Sequence, residues 1–261
     1  ATTQNIRAKY DDKDKGRFFC DNLIVISGAD QLQISVRYNA SNIADIAEEL
    51  MTVLGAYNGT PVGLFTGDEC LSGLSPIQGT ELCAVVEEMF SCELLFAYTG
   101  NTKWLDILEK ASFNGLPATT SEDMWTHQYV QMSNQIACEK FPGKPVFRTN
   151  SEEAHLFGLE PNYGCCTANF SQGWPKLALS AFMHREKEIV SAVLLPCELK
   201  ESDLHIRLET DYPFENSARY TVESETDRTL VIRIPSFAKN VRINGELFAG
   251  AEYRLEIKAG E

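Results

Sequence analysis

The chain has 261 residues, 44% apolar and 23% charged, with a formal net charge of −14. That length and balance fit one large or two modest folded domains and exclude extended disorder. The acidic surface excludes nucleic acid as a partner, because phosphate binding needs clustered Lys and Arg. No stretch approaches the ~20 consecutive apolar residues of a membrane-spanning helix.

In chain order, the first clear element is a helix from Ser41. Ile43, Ile46, Ala47, Leu50, Met51 and Leu54 recur at helical spacing, and Gly55 is its expected stop. Before it, Phe18-Phe19-Cys20 and Leu23-Ile24-Val25-Ile26 suit helix or strand equally. Residues 58–79 form a long loop punctuated by Gly and Pro, the kind of connection that often binds or catalyses. A second helix is predicted over 80–98, ended by Gly100, and a third over 102–112. Residues 114–172 read as loop, and a fourth helix over 174–184 has Pro175 at its first position. The period then changes to short β-rich runs at 189–195, 204–210, 220–223, 229–234 and 241–243, with Asn244-Gly245 as a hairpin turn. The division predicted is a helical domain over 1–185 and a β-sandwich domain over 186–261.

Eight cysteines sit at 20, 70, 83, 92, 138, 165, 166 and 197, too sparse in so long a chain for a disulfide scaffold. Adjacent thiols such as Cys165-Cys166 pair poorly in a disulfide but are good ligands for a soft or borderline cation. Glu81-Leu82-Cys83 offers a carboxylate and a third thiol. On an ideal helix Glu81 and Cys83 lie about 200° apart; at an irregular helix start they can share an ion. Three sulfurs and one carboxylate oxygen complete a tetrahedral shell, for which Zn2+ is the default occupant. The bland reading makes Cys83 an apolar filler and Glu81 a first-turn dipole partner.

Asp68 and Glu69 offer a general acid/base, or else belong to a solvated turn. His127 and Tyr129, set among aromatics and amides, suit a sugar-binding wall, and a structural histidine fits equally. Cys20, Cys92, Cys138 and Cys197 read as packing residues, and His184 as closing a helix. The sequons at Asn39, Asn58 and Asn169 read as chance occurrences.

Gly67-Asp68-Glu69, Gly79-Thr80-Glu81-Leu82-Cys83-Ala84 and the run from Leu156 through Gly164-Cys165-Cys166-Thr167-Ala168-Asn169 together resemble glycoside hydrolase family 127, the β-L-arabinofuranosidases. The likeness covers roughly residues 40–250. It implies an (α/α)6 barrel of six-hairpin type followed by an antiparallel β-sandwich. Such a barrel has more helices than the four predicted here, so the resemblance implies a fragment with a shortened barrel and an incomplete β part. It implies Zn2+ held by Glu81, Cys83, Cys165 and Cys166, with Cys165 as nucleophile and Glu69 as acid/base. The substrate implied is a carbohydrate; the sequence leaves the compartment of a soluble protein open between cytoplasm and secretion. The competing expectations are a non-catalytic protein with a structural Cys3Glu zinc site, and a carbohydrate-binding module.

Overall fold

A computed structural model describes residues 23–27, 30–34, 40–67, 70–140, 150–158 and 163–260, with side chains placed from residue 45 onward. The predicted runs at Phe18–Cys20 and the sequon Asn39 lie outside them. The chain divides into two compact units, Ala1–Gly100 with Ile107–Trp174, and Asn101–Asp106 with Pro175–Glu261. The fold mixes helices with largely antiparallel sheets.

In the first unit, the strands β1 (Leu23–Ser27) and β2 (Asp30–Ile34) pair antiparallel. Helix α1 (Ala40–Asn58) runs past Gly55, the expected stop, and the Gly59 N–H still reaches the Gly55 carbonyl at 3.0 Å. The loop that follows is irregular but well tied. The Asn58 Oδ1 accepts the Gly73 N–H at 3.0 Å, and the Thr66 and Thr80 hydroxyls donate to the carbonyls of Gly73 and Phe65, each at 2.7 Å. Strand β3 (Gly79–Glu81) then leads directly into α2 (Leu82–Thr99).

Helix α2 buries Leu82, Cys83, Ala84, Val85, Val86, Met89, Cys92, Leu95 and Phe96, which together lie on all sides of its axis. A helix apolar all round belongs in a core. It ends at Gly100, whose φ of 64° and N–H bond to the Phe96 carbonyl form a left-handed cap. Helix α3 (Lys103–Lys110) continues into a π-helical turn over Ala111–Gly115, where the Leu116 N–H reaches back to the Ala111 carbonyl. Strand β4 (Val130–Met132) pairs antiparallel with β3, setting Glu81 opposite Val130.

Helix α4 (Gly164–Leu179) corrects the sequence reading: it begins ten residues before the expected start at Trp174, and Pro175 sits inside it. Tertiary packing overrides a weak local signal here. Gly173 lies so close to Leu116 and Val86 that a Cβ there would stand 2.6 Å and 3.4 Å from them. His184 accordingly lies on strand β5 (Phe182–Arg185) and does not close a helix.

The second unit is built from β5, β6 (Glu188–Ser191), β7 (Cys197–Lys200), β8 (Leu204–Thr210), β9 (Ala218–Ser224), β10 (Arg228–Arg233), β11 (Arg242–Ile243), β12 (Glu246–Leu247) and β13 (Glu252–Ile257). One sheet has the order β13-β10-β6-β5 and another β7-β8-β9. The β6–β10 pairing is parallel, so the larger sheet is mixed where an all-antiparallel one was expected. The three strands β7–β9 intervene in sequence and supply the crossover that a parallel pair requires. Ile189, Leu230 and Ile257 of the larger sheet share one core with Leu204 and Ile206 of the smaller. Arg233, 1% exposed, pairs with Asp106 and ties the 101–106 segment into this unit. The hairpin β11–β12 turns at Asn244 and Gly245, both with positive φ, as their sequence requires. No helix among the described residues is long and apolar enough to cross a membrane.

Candidate metal centre

Glu81 is the last residue of β3 and the N-cap of α2, with extended φ and ψ of −67° and 140°. The chain therefore changes direction between Glu81 and Cys83, and the helical separation that would keep them apart does not apply. Two backbone bonds fix the entry: the Glu81 N–H donates to the Gly67 carbonyl at 2.9 Å, and the Leu82 N–H to the Tyr129 carbonyl at 2.8 Å. Glu81 and Cys83 are buried.

Cys165 and Cys166 stand on the first turn of α4, where a loop was expected. Successive helical residues point about 100° apart. Cys166 accordingly faces the core at 0% exposure, while Cys165 is exposed.

The ligand atoms of Glu81, Cys83, Cys165 and Cys166 all lie within 4.8 Å of one another. The Cys83 and Cys166 sulfurs are 3.3 Å apart, those of Cys165 and Cys166 4.0 Å. Four ligands ~2.0–2.3 Å from a tetrahedral ion stand about 3.3–3.8 Å from each other; the Cys83–Cys166 separation falls in that range and the others lie within about 1 Å of it. Every cysteine among the described residues is a free thiol.

The electrostatics point the same way. The Cys83 thiol is pushed far up, first by its hydrogen bond with Cys166, then by burial and by the charges of Cys166 and Glu81. Burial, with the charge of Cys83, lifts Cys165 to about 11. The hydrogen bond to Cys83 pulls Cys166 down, but burial and the charges of Cys165 and Glu81 outweigh it, and the net direction is up. Four acidic groups thus crowd a site that favours their ionised forms only if a cation joins them. The N-termini of α2 and α4 both open at the cluster, and their dipoles favour thiolate there.

Of the other expected site residues, Glu69 lies outside the described residues. Its flanks are anchored: Gly67 pairs antiparallel with Leu71 and parallel with Thr80, one residue from Glu81. His127 is nearly buried, and its Nε2 lies 2.8 Å from the Thr167 hydroxyl, two residues past Cys165. Tyr129 is fully buried and stacks on Tyr163 at 4.1 Å. Sequence reading missed Thr167, Tyr163 and Asn169, whose side chain hydrogen-bonds the Cys83 sulfur. The spacing of Asn169 from Cys166, three residues along one helix face, is the signal that an earlier helix start would have supplied. Cys138 is exposed and accepts a bond from Gln135, so it is not the packing residue expected. Among the sequons, Asn58 is buried with its side chain engaged.

Two family models match the chain. That of the β-L-arabinofuranosidase GH127 catalytic domain covers residues 45–179, and that of the GH127 middle domain residues 191–254. A GH127 β-L-arabinofuranosidase from Geobacillus stearothermophilus superposes with a TM-score of 0.64 at 18% identity, covering 85% of this chain and 39% of that one. A second solved GH127 β-arabinofuranosidase gives a TM-score of 0.57 at 20% identity, covering 76% and 35%. The chain thus spans well under half the length of either structure. No curated protein sequence matches it.

Proposed function

The chain belongs to the GH127 β-L-arabinofuranosidase family, and from that premise we propose that it carries the working centre of a zinc-dependent retaining glycosidase acting on β-L-arabinofuranosides or related glycans. The observation that carries this reading is the convergence of Glu81, Cys83, Cys165 and Cys166, with Cys165 alone of the four turned to solvent. In this reading residues 1–185 are part of an (α/α)6 barrel and residues 186–261 part of a β-sandwich.

Glu81, Cys83, Cys165 and Cys166 would hold the ion. Bound there, zinc would keep Cys165 ionised at neutral pH and make its sulfur a better leaving group. The Cys165 Sγ attacks the anomeric carbon, and a C–S bond forms as the glycosidic C–O bond breaks. Glu69 gives its proton to the departing oxygen. Glu69 then takes a proton from water as that water displaces the sulfur, and two inversions return the original configuration. His127, held by Thr167, presents its ring to a sugar hydroxyl, and Tyr129 supports the wall from behind through Tyr163.

Replacing Glu69 with Gln tests the assignment. Turnover of an aryl β-L-arabinofuranoside is expected to be lost while zinc per chain, read by elemental analysis, stays unchanged. Full activity in Glu69→Gln would remove Glu69 from the mechanism.

One feature favours a second reading, a purely structural zinc site: the ligand set is complete without water, as structural sites are. Labelling separates the two. An arabinofuranosyl haloacetamide alkylates Cys165 if it is the nucleophile, and leaves it untouched if the site is structural.

A further inference from the structure

Strand β9 (Ala218–Ser224) ends the order β7-β8-β9 and keeps an unbroken antiparallel register with β8 along its whole length. Among the described residues, no strand pairs with its other edge. Two bonds fix which backbone groups face that edge. The Glu225 N–H donates to the Asp203 carbonyl at 2.9 Å, so by alternation Glu223, Thr221 and Arg219 bond towards β8. Ser224, Val222, Tyr220 and Ala218 then turn their N–H and C=O groups outward. Ser224 fits this phase: its carbonyl accepts the Gly260 N–H at 2.8 Å. That bond covers one end of the edge and leaves the stretch through Tyr220 and Val222 open.

Long open edges are ordinarily blunted by Pro, Lys or a bulge. Ala218-Arg219-Tyr220-Thr221-Val222-Glu223-Ser224 has neither residue, its register has no bulge, and Tyr, Thr and Val favour strand. Its two charges are opposite in sign, both exposed, and lie two residues to either side of Thr221. They share a face with Glu198, Lys200, His205, Arg207 and Glu209, which form ion pairs with one another. Arg219 and Glu223 stand outside those pairs.

This pattern is complementary to itself. A second copy laid antiparallel, with Thr221 opposite Thr221, sets Arg219 against Glu223 twice and Tyr220 against Val222 twice. Tyr220 and Val222 carry the outward backbone groups, so each of their pairs exchanges two hydrogen bonds. Both residues already pack on the core of their own unit, and pairing them extends that apolar row. Arg219 and Glu223 fall in the closer, non-hydrogen-bonded pairs, where opposite charges attract and like charges repel most directly. A one-residue slip would turn the faces over, so only slips of two residues compete. One brings Tyr220 of the copy against Ser224, where Gly260 sits. The other sets Arg219 against Thr221 and loses both ion pairs.

We propose that β9 is a self-association edge, through which two copies of this chain join their β7-β8-β9 sheets about a two-fold axis at Thr221. Residues 219–223 of each copy bury less than a standard interface, so the dimer is weak and forms at high concentration.

The test is sedimentation velocity of the whole chain from micromolar to millimolar concentration, under reducing conditions so that no cystine joins the copies. The parent chain is expected to pass from monomer to dimer over that range. Arg219→Glu or Glu223→Arg alone sets like charges opposite at both contacts and should weaken self-association about tenfold or more. An equimolar mixture of the two variants has opposite charges at both contacts again, and should form a heterodimer as readily as the parent forms its dimer. Melting temperatures should match the parent's, since both side chains are exposed. Should either variant fail to melt cooperatively, Thr221→Glu takes its place, bringing two carboxylates together on the axis with the same expected loss. A parent chain that stays monomeric throughout overturns the proposal. So does a dimer indifferent to these substitutions, or a mixture no stronger than its components.

Discussion

At the scale of single residues, the dipeptide Cys165-Cys166 divides its labour by helical geometry: one sulfur is buried with Cys83, its neighbour faces out. Asn169, bonded to the Cys83 sulfur, orients a ligand from behind. Asn169→Ala should weaken metal binding about 10–100-fold, as loss of such outer partners does, measured by competition with a chromogenic chelator. Glu88 makes a different prediction. It is 5% exposed, and burial alone raises its carboxyl to about 8. The folded state therefore holds a proton that the unfolded chain releases near pH 4.5. Stability is full below that pH and falls as pH rises towards 8, by at most about 1.4 kcal/mol per unit. Glu88→Gln, which cannot ionise, should melt at a nearly constant temperature from pH 5 to 8 while the parent chain declines. The four residues of the cluster were legible in the sequence because thiols paired with one another and with a carboxylate are chemically conspicuous. Asn169, Thr167 and Tyr163 were not, since each acts through a partner that only folding brings near.

At the scale of elements, boundaries mattered more than identities. Gly100 and Asn244-Gly245 were readable because each position takes a backbone conformation that few residues tolerate. Pro175 misled, for a proline that marks a helix start in most contexts here lies within α4. Strand β5 (Phe182–Arg185) escaped notice because the expected fourth helix was carried through residue 184. Close packing of α4 on α2 supplies what its sequence lacks. Gly173→Ala should cost about 1–3 kcal/mol through overpacking against Leu116, seen as a lower melting temperature. The same variant should bind less metal if the register of α4 shifts to make room.

At the scale of the whole molecule, the Glu81, Cys83, Cys165 and Cys166 cluster lies wholly within one compact unit, and the mixed sheet belongs to the other. Ile206→Ala, in the shared core of the two larger sheets, should cost about 2–5 kcal/mol without changing zinc per chain. Removing the ion with a chelator should lower the melting temperature of the parent chain, because a ligand that binds only the folded state stabilises it by mass action. Readdition of zinc under reducing conditions restores the original melt. The mixed character of the larger sheet could not be read beforehand. Partner choice between Glu188–Ser191 and Arg228–Arg233 is a long-range matter, settled by the intervening strands and not by either segment.

The 3.3 Å between the Cys83 and Cys166 sulfurs has a practical consequence at the bench. Left in air without a metal ion at this cluster, a sample is expected to pass two electrons and two protons from this pair to dioxygen, giving a cystine and hydrogen peroxide. Such material would refuse reloading until treated with a reductant, and a thiol count two lower than that of fresh protein would reveal it. Storage history would then decide whether an assay sees a live preparation or a dead one.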